Sequence, residues 1–309
     1  MAAIRLPTLR RLNSRQREAL SGYAFISPWF VGFLIFTLGP LLISLGLSFT
    51  KWGFVDQPKF IGLQNYQKML NDSIFWISLR VTATFTVLNV PLVIIVALAT
   101  ATLMTRKLPG MHIYRAIYYL PAIVGGVPMA LIWTWVFQPD YGILNRLLYL
   151  AGLPGPNWLG SPQWALLAIV LVSAWNFGLP MVVFISGIQN IPPVLYEAAN
   201  LDGANALSRL RYVTLPMLSP TIFFLLINQI IGSFQVFDVV YVISNGTGDP
   251  LRSTLTYLVY FFQVAFQRFN MGYASALVWV LFLIIMAFTV LVFKSSSLWV
   301  FYESEAKND

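Results

Sequence analysis

The sequence has no cysteine, a single histidine and few charges. Without cysteine there can be no disulfide and no thiolate metal site. His112 lacks the partner ligands a zinc site needs. It lies beside Arg106, Lys107 and Arg115, as an ordinary residue of a basic loop would. Charged residues make up 10% of the 309 residues, against about 25% in a soluble domain. Long water-soluble segments are missing too, so there is no room for a large catalytic domain. No paired carboxylates and no Ser–His constellation fall within the apolar segments, which disfavours a membrane-embedded enzyme. The phosphate-cradling loop G-x-x-x-x-G-K-[ST] is also absent, because no lysine follows a glycine.

What is present is apolar: 58% of the chain is hydrophobic. A spanning helix needs roughly 20 mainly apolar residues. Six segments qualify, at about 23–49, 81–105, 113–137, 165–188, 218–243 and 271–293. The reading is an all-α polytopic membrane protein. A basic stretch precedes the first segment, which is too long for a signal peptide and has no small-x-small cleavage site after it, so it reads as an uncleaved helix. The division expected is a basic cytoplasmic segment 1–22, one six-helix domain 23–294 and a cytoplasmic tail 295–309.

The net charge of +8 is explained first by topology, not by nucleic acid. Arg5, Arg10, Arg11, Arg15, Arg17, Arg106, Lys107, Arg115, Arg209, Arg211, Lys294 and Lys307 fall on one side. Lys51, Lys59, Lys68, Arg80, Arg146, Arg252 and Arg268 fall on the other. The richer side is cytoplasmic, so both termini are placed there. On the outer side, residues 53–70 read as a turn and a surface helix. Thr254–Phe266 is too short to span and reads as an interfacial or re-entrant helix.

Several spans look broken: the second at Asn89 and Pro91, the third at Pro121, Gly125–Gly126 and Pro128, and the fourth at 176–180. Such breaks are packing devices or mark a substrate path. At 1.5 Å per residue, Asn89, Asn176, Asn228 and Gln229 fall near the bilayer centre. Buried amides there serve as interhelical glue or line a path for a hydroxyl-rich solute, since amides both donate and accept. Asp238, some twenty residues into the fifth span, is expected near the outer interface. No midplane carboxylate, repeated half or filter sequence appears, which argues against an ion-coupled carrier and a channel.

Between spans four and five lies the polar stretch "IPPVLYEAANLDGANALSRLRYVTLP". Pro192–Pro193 is compatible with a helix start. Leu195, Ala198 and Leu201 give an apolar stripe, Gly203 can cap, and a second piece covers about 204–212. Taken alone, such a helix rests on its own protein or on the membrane surface. The whole pattern is more specific. Glu197-Ala198-Ala199, Asp202-Gly203-Ala204 and Val213-Thr214-Leu215-Pro216 resemble the EAA loop of binding-protein-dependent ABC importer permeases. "FIGLQNY", "FQVFDVVYVISNGTGDP" and "AFQRFNMGYASAL" resemble the carbohydrate branch, the MalF-like permeases of the short six-span type. The resemblance runs from about Ala24 to Phe301. It departs at Leu210, often aromatic in the family, and at Gly246–Pro250, where Gly-Gly-Pro is usual.

The resemblance implies the ABC type I importer permease fold, with loop 190–216 as the cytoplasmic coupling helix. Glu197, Ala198, Ala199, Asp202, Gly203 and Leu207 would contact an ATPase. It implies a second, homologous permease subunit, two ATP-binding cassette subunits that use ATP and Mg, and an extracytoplasmic solute-binding protein. The chain itself would bind no cofactor and no metal. It would sit in a bacterial or archaeal cytoplasmic (inner) membrane and carry a sugar or oligosaccharide by alternating access. Gly126, Asn176, Phe177 and Gly178 are candidates for the path on depth and position, as are Asn228, Ser233 and Gln235. A permease for another solute such as glycerol phosphate, or a non-ABC carrier, is the alternative.

Overall fold

A computed structural model describes residues 13–54, 57–106 and 109–301. Arg5, Arg10, Arg11, Lys107 and Lys307, and with them parts of segments 1–22 and 295–309, lie outside the described residues.

Hydropathy misplaces several helix starts, because their first turns are polar and capped. The first helix runs Ser14–Ser48, with one π turn at Leu34–Leu38, and so begins well before 23. Asn13 and Gln16 form a capping box at its start. The second runs Ser73–Met104 and begins before 81, because the Asp72 carboxylate accepts from the Ile74 (2.9 Å) and Phe75 (3.4 Å) N–H groups. Its 32 residues give about 48 Å of helix, more than a hydrocarbon core of about 30 Å. Arg80 therefore belongs to this helix and not to a loop. Asn89 and Pro91 do not interrupt it. Pro91 lies inside the continuous helix, and the buried Asn89 amide donates to Ser233 Oγ of the fifth span at 3.1 Å.

The third span is two helices, Met111–Val124 and Gly126–Val136, set at 104° to each other. The break is at Gly125 alone, whose φ of 81° and ψ of 172° suit only glycine. Pro121 stays inside the first helix. Pro128 sits in the first turn of the second, where a missing N–H costs nothing. The fourth span bends by 48° between Pro162–Ala174 and Gly178–Gln189. The fifth is Ser219–Phe234 followed, after a break at 235–237, by Asp238–Ile243, and the sixth is Met271–Ser296. Four helices are long and apolar enough to cross a membrane, and six crossings result if each bent pair counts as one.

The core lies between the second, fourth, fifth and sixth spans. Ala97 and Ala101, fully buried, pack beside Met181 and Phe184 of the fourth span. Small residues let helix backbones approach closely where lipid gives no hydrophobic drive. Tyr257–Phe262 is not an interfacial helix on the lipid surface. Tyr257, Val259 and Tyr260 are buried; the Tyr257 N–H donates to Thr82 Oγ1 (2.8 Å) and its hydroxyl to the Leu277 carbonyl (2.8 Å). The first helix packs mainly on the sixth, and the Trp279 indole donates to Ser44 Oγ at 3.1 Å. After it, Thr50–Lys51 pairs antiparallel with Lys59–Phe60, and Gln64–Leu70 is helical. A helix at Ile143–Leu150, between spans three and four, has no counterpart in the hydropathy pattern. The Arg115 guanidinium donates to the Met104 carbonyl at 2.6 Å. A cation thus meets the C-terminus of the second span, where the helix dipole is negative.

Candidate functional site

Two surfaces carry the sequence-based candidates. The first is the loop after the fourth span. Pro193–Leu201 is a helix with proline in its first turn. It ends in a Schellman arrangement: the Ala204 N–H donates to the Ala199 carbonyl (2.9 Å) and the Gly203 N–H to the Asn200 carbonyl (3.1 Å). Gly203 has a φ of +75°, the left-handed conformation this cap requires. Asn205 caps the next piece, Ala206–Arg209, by accepting from the Ser208 N–H at 2.9 Å. From there helical backbone continues through Leu210–Thr214 and Leu215–Met217 into the fifth span.

Two side-chain ties hold the pieces together. Arg209 Nη1 donates to Asn200 Oδ1 at 2.7 Å, and the Tyr196 and Thr214 hydroxyls lie 3.0 Å apart. Glu197, Ala198, Asp202, Gly203 and Leu207 are exposed and Ala199 is half-buried. Leu201 and Leu207 are 90% and 73% exposed, so large apolar side chains stand out of a loop otherwise rich in charge. A groove of about 300 Å³ runs between the two pieces, lined by Leu195, Ala198, Ala199, Asp202, Ser208 and Tyr212.

The second surface is a cavity of about 290 Å³ where three broken spans meet. Pro121, Gly125 and Gly126 come from the break in the third span. Ser173 and Asn176 come from the bend in the fourth, and Gln235 to Asp238 from the break in the fifth. Of the seven path candidates, the fold brings Gly126, Asn176 and Gln235 together here.

The other four do not line this cavity. Phe177 is buried and packs on Tyr118, with ring centroids 5.9 Å apart. A Cβ on Gly178 would sit 2.7 Å from the Tyr118 carbonyl oxygen, so this glycine lets the fourth span close on the third. Ser233 is buried and bonded to Asn89, which is the interhelical-glue role. Asn228 is exposed on this chain and donates to its own helix at the Phe224 carbonyl, 2.8 Å away.

Asp238 was not among the path candidates. It lines the cavity opposite Gly126, where an added Cβ would lie 2.9 Å from Asp238 Cβ. Counting along the chain does not say which neighbour a residue meets; the helix is interrupted at 235–237, and Asp238–Ile243 packs against Gly126–Val136 of the third span. An intramembrane carboxylate in a polar run was the available signal. Among the described residues no group of three or more His, Cys, Asp or Glu could hold a metal ion.

Known proteins give these surfaces a context. The chain is 44% identical over 300 residues to the probable ABC transporter permease protein YesP of Bacillus subtilis, covering 96% of this chain and 97% of that protein. It is 33% identical to the lactose transport system permease protein LacF of Rhizobium radiobacter, covering 94% and 99%. Against the trehalose/maltose transport system permease protein MalF of Thermococcus litoralis the identity is 32%, covering 91% and 95%. The fold is similar to a bacterial ABC transporter involved in the import of the acidic polysaccharide alginate, with a TM-score of 0.78 at 23% identity over 93% of this chain and 99% of that one. Residues 94–297 match the family of binding-protein-dependent transport system inner membrane components, and the chain, a membrane-spanning permease, belongs to that family.

Proposed function

We propose that this chain is one of two homologous permease subunits of an ATP-driven importer. It translocates a sugar or oligosaccharide handed over by an extracytoplasmic solute-binding protein. ATP and Mg are used by two separate cassette subunits docked on loop 190–216, and this chain binds no cofactor. Both termini face the cytoplasm, with residues 1–22 and 295–309 flanking a single membrane domain. The permeases named for lactose and for trehalose/maltose support a carbohydrate solute.

The observation that carries the reading is the convergence on one polar cavity of two bent spans and the helix interruption at 235–237. Irregular backbone within a membrane is tolerated where it lines a cavity, and discontinuous helices recur at transport sites. Gly126, Asn176 and Gln235 are the path residues we retain. The loop supplies the drive. Exposed Glu197, Asp202 and Leu207, with the close-approach surface of Ala198 and Ala199, suit a protein groove better than lipid. The helical continuity from Ala206 into the fifth span lets rigid-body movement of the loop reach the cavity.

The test is reconstitution with the partner subunits. Gly203→Pro cannot adopt the positive φ of the cap, and Glu197→Lys reverses the exposed charge. Each is expected to assemble and yet lose binding-protein-stimulated ATP hydrolysis by tenfold or more, on the order of the 1.4 kcal/mol that a factor of ten represents. Stimulated hydrolysis and uptake at wild-type level in both variants overturn the docking assignment.

A further inference from the structure

We propose that Asp238 sets the charge selectivity of the translocation path, admitting uncharged hydroxyl-rich sugars and turning away uronates and sugar phosphates. The inference rests on the carbohydrate reading above and specifies the chemistry of its cavity. Among the described residues Asp238 is the single ionisable one lining the cavity, with no Lys, Arg or His beside it. The remaining side-chain polar groups are the Ser173 hydroxyl and the Asn176 and Gln235 amides. Ser173 Oγ is buried and has no hydrogen-bond partner among the described residues. A buried hydroxyl without a partner is costly and is normally satisfied.

An ionised carboxylate only accepts hydrogen bonds, and a sugar offers hydroxyl donors, two of which on neighbouring carbons can reach its two oxygens. Asp238 also faces the N-terminal end of helix Gly126–Val136, close enough that a Cβ on Gly126 would lie 3.3 Å from Asp238 Oδ2. The positive end of that helix dipole favours a negative charge there. A carboxylate in the wall repels an anionic solute by like charge. A neutral sugar meets the same carboxylate as an acceptor. The cavity thus sorts by charge without any cation of its own.

The experiment uses the complete transporter in proteoliposomes, with its partner permease, cassette subunits and solute-binding protein. The probes are radiolabelled neutral disaccharides of glucose, galactose and arabinose, and the glucose and galactose disaccharides oxidised at C6 to uronates. Binding of each probe to the isolated solute-binding protein is measured first, so that uptake is compared at equal occupancy. Wild type is expected to carry neutral sugars at least tenfold faster than uronates. Asp238→Asn is expected to slow neutral-sugar uptake at least tenfold, with stimulated ATP hydrolysis retained, and Asp238→Glu to recover part of it. Gln235→Lys, which adds a cation to the same wall without touching Asp238, is expected to raise uronate uptake relative to neutral sugar. It serves as the deciding variant if Asp238→Asn does not assemble. Neutral-sugar kinetics unchanged in Asp238→Asn, uronates carried by wild type as fast as neutral sugars, or a selectivity unmoved by Gln235→Lys each overturn the role of Asp238. If wild type carries neither kind of probe, the carbohydrate reading itself falls, and the inference with it.

Discussion

Single residues divide here into those that hold helices together and those that face open space, and the types alone do not say which. Asn89 and Asn176 are both amides in the middle of apolar runs. Asn89 is buried against Ser233, whereas Asn176 is exposed at a bend and lines the cavity. Asn176 and Phe177 lie in the turn between the two helices of the fourth span, where neighbouring side chains diverge: Phe177 and Gly178 meet Tyr118 of the third span, and Asn176 lines the cavity. Asp72 shows what a residue does when its surroundings satisfy it. Its carboxylate caps the second span and accepts hydrogen bonds from the Tyr260 and Tyr273 hydroxyls, the latter at 2.7 Å. Burial works against its charge, but these hydrogen bonds and those from the Ile74 and Phe75 N–H groups outweigh it, so its pKa lies below the ordinary carboxylate value. A depressed folded pKa means that the stabilisation is present above the unfolded value of about 3.9 and is lost as pH falls through the folded value. We predict that Asp72→Ala lowers stability by about 1–2 kcal/mol at neutral pH, the usual cost of losing an N-cap. The deficit should shrink below about pH 4, where wild type loses the same contribution. Thermal unfolding in detergent across pH 3–8 checks this; a deficit independent of pH would contradict it.

At the scale of elements, breaks and caps decide where helices end. Gly125 is the cleanest case. A Cβ there would meet nothing within 4 Å, so any cost of substitution is conformational and not steric. Its backbone conformation is nearly exclusive to glycine and strained for any other residue by about 1–3 kcal/mol. Gly125→Ala is expected to lower the unfolding midpoint accordingly and to reduce uptake by straightening the third span. An unchanged midpoint would mean that the 104° break does not persist in the membrane. Gly203 fills the corresponding position in loop 190–216, where the sequence reading offered it as a cap. Proline at a helix start and glycine just past its end are local devices, readable because each acts within four residues. Prolines inside long apolar helices were misread for the converse reason. Pro91 and Pro121 are absorbed by continuous helix, and only packing from neighbours decides whether a proline breaks a span.

For the molecule as a whole, the orientation rests on the distribution of lysine and arginine, and it makes a direct prediction. The absence of cysteine makes single-cysteine labelling clean. Leu207→Cys, exposed on loop 190–216, should react with a membrane-impermeant maleimide only in inverted vesicles. Asn71→Cys, exposed before the second span, should react only in intact cells. The reverse pattern would invert the topology and remove the basis for an ATPase docking on loop 190–216. The exposed apolar surface fits the same picture. Phe25 and Phe36 on the first helix are 87% and 80% exposed, a face suited to lipid or to the partner permease and not to water.

The sequence by itself determined the class of molecule. Composition, run length and the spacing of the EAA loop are properties of consecutive residues, and the lack of a phosphate loop needs no geometry. It also determined the cap at Gly203, because a cap is a local event. Tertiary structure alone decided which residues line the cavity. Gly126, Asn176, Gln235 and Asp238 lie on three spans, and their meeting depends on the angle of each break and the rotation of each helix. Neither quantity is encoded in spacing along the chain. Asp238 joins the cavity wall because Asp238–Ile243 packs on Gly126–Val136, and which neighbour a residue meets is not set by its distance along the chain.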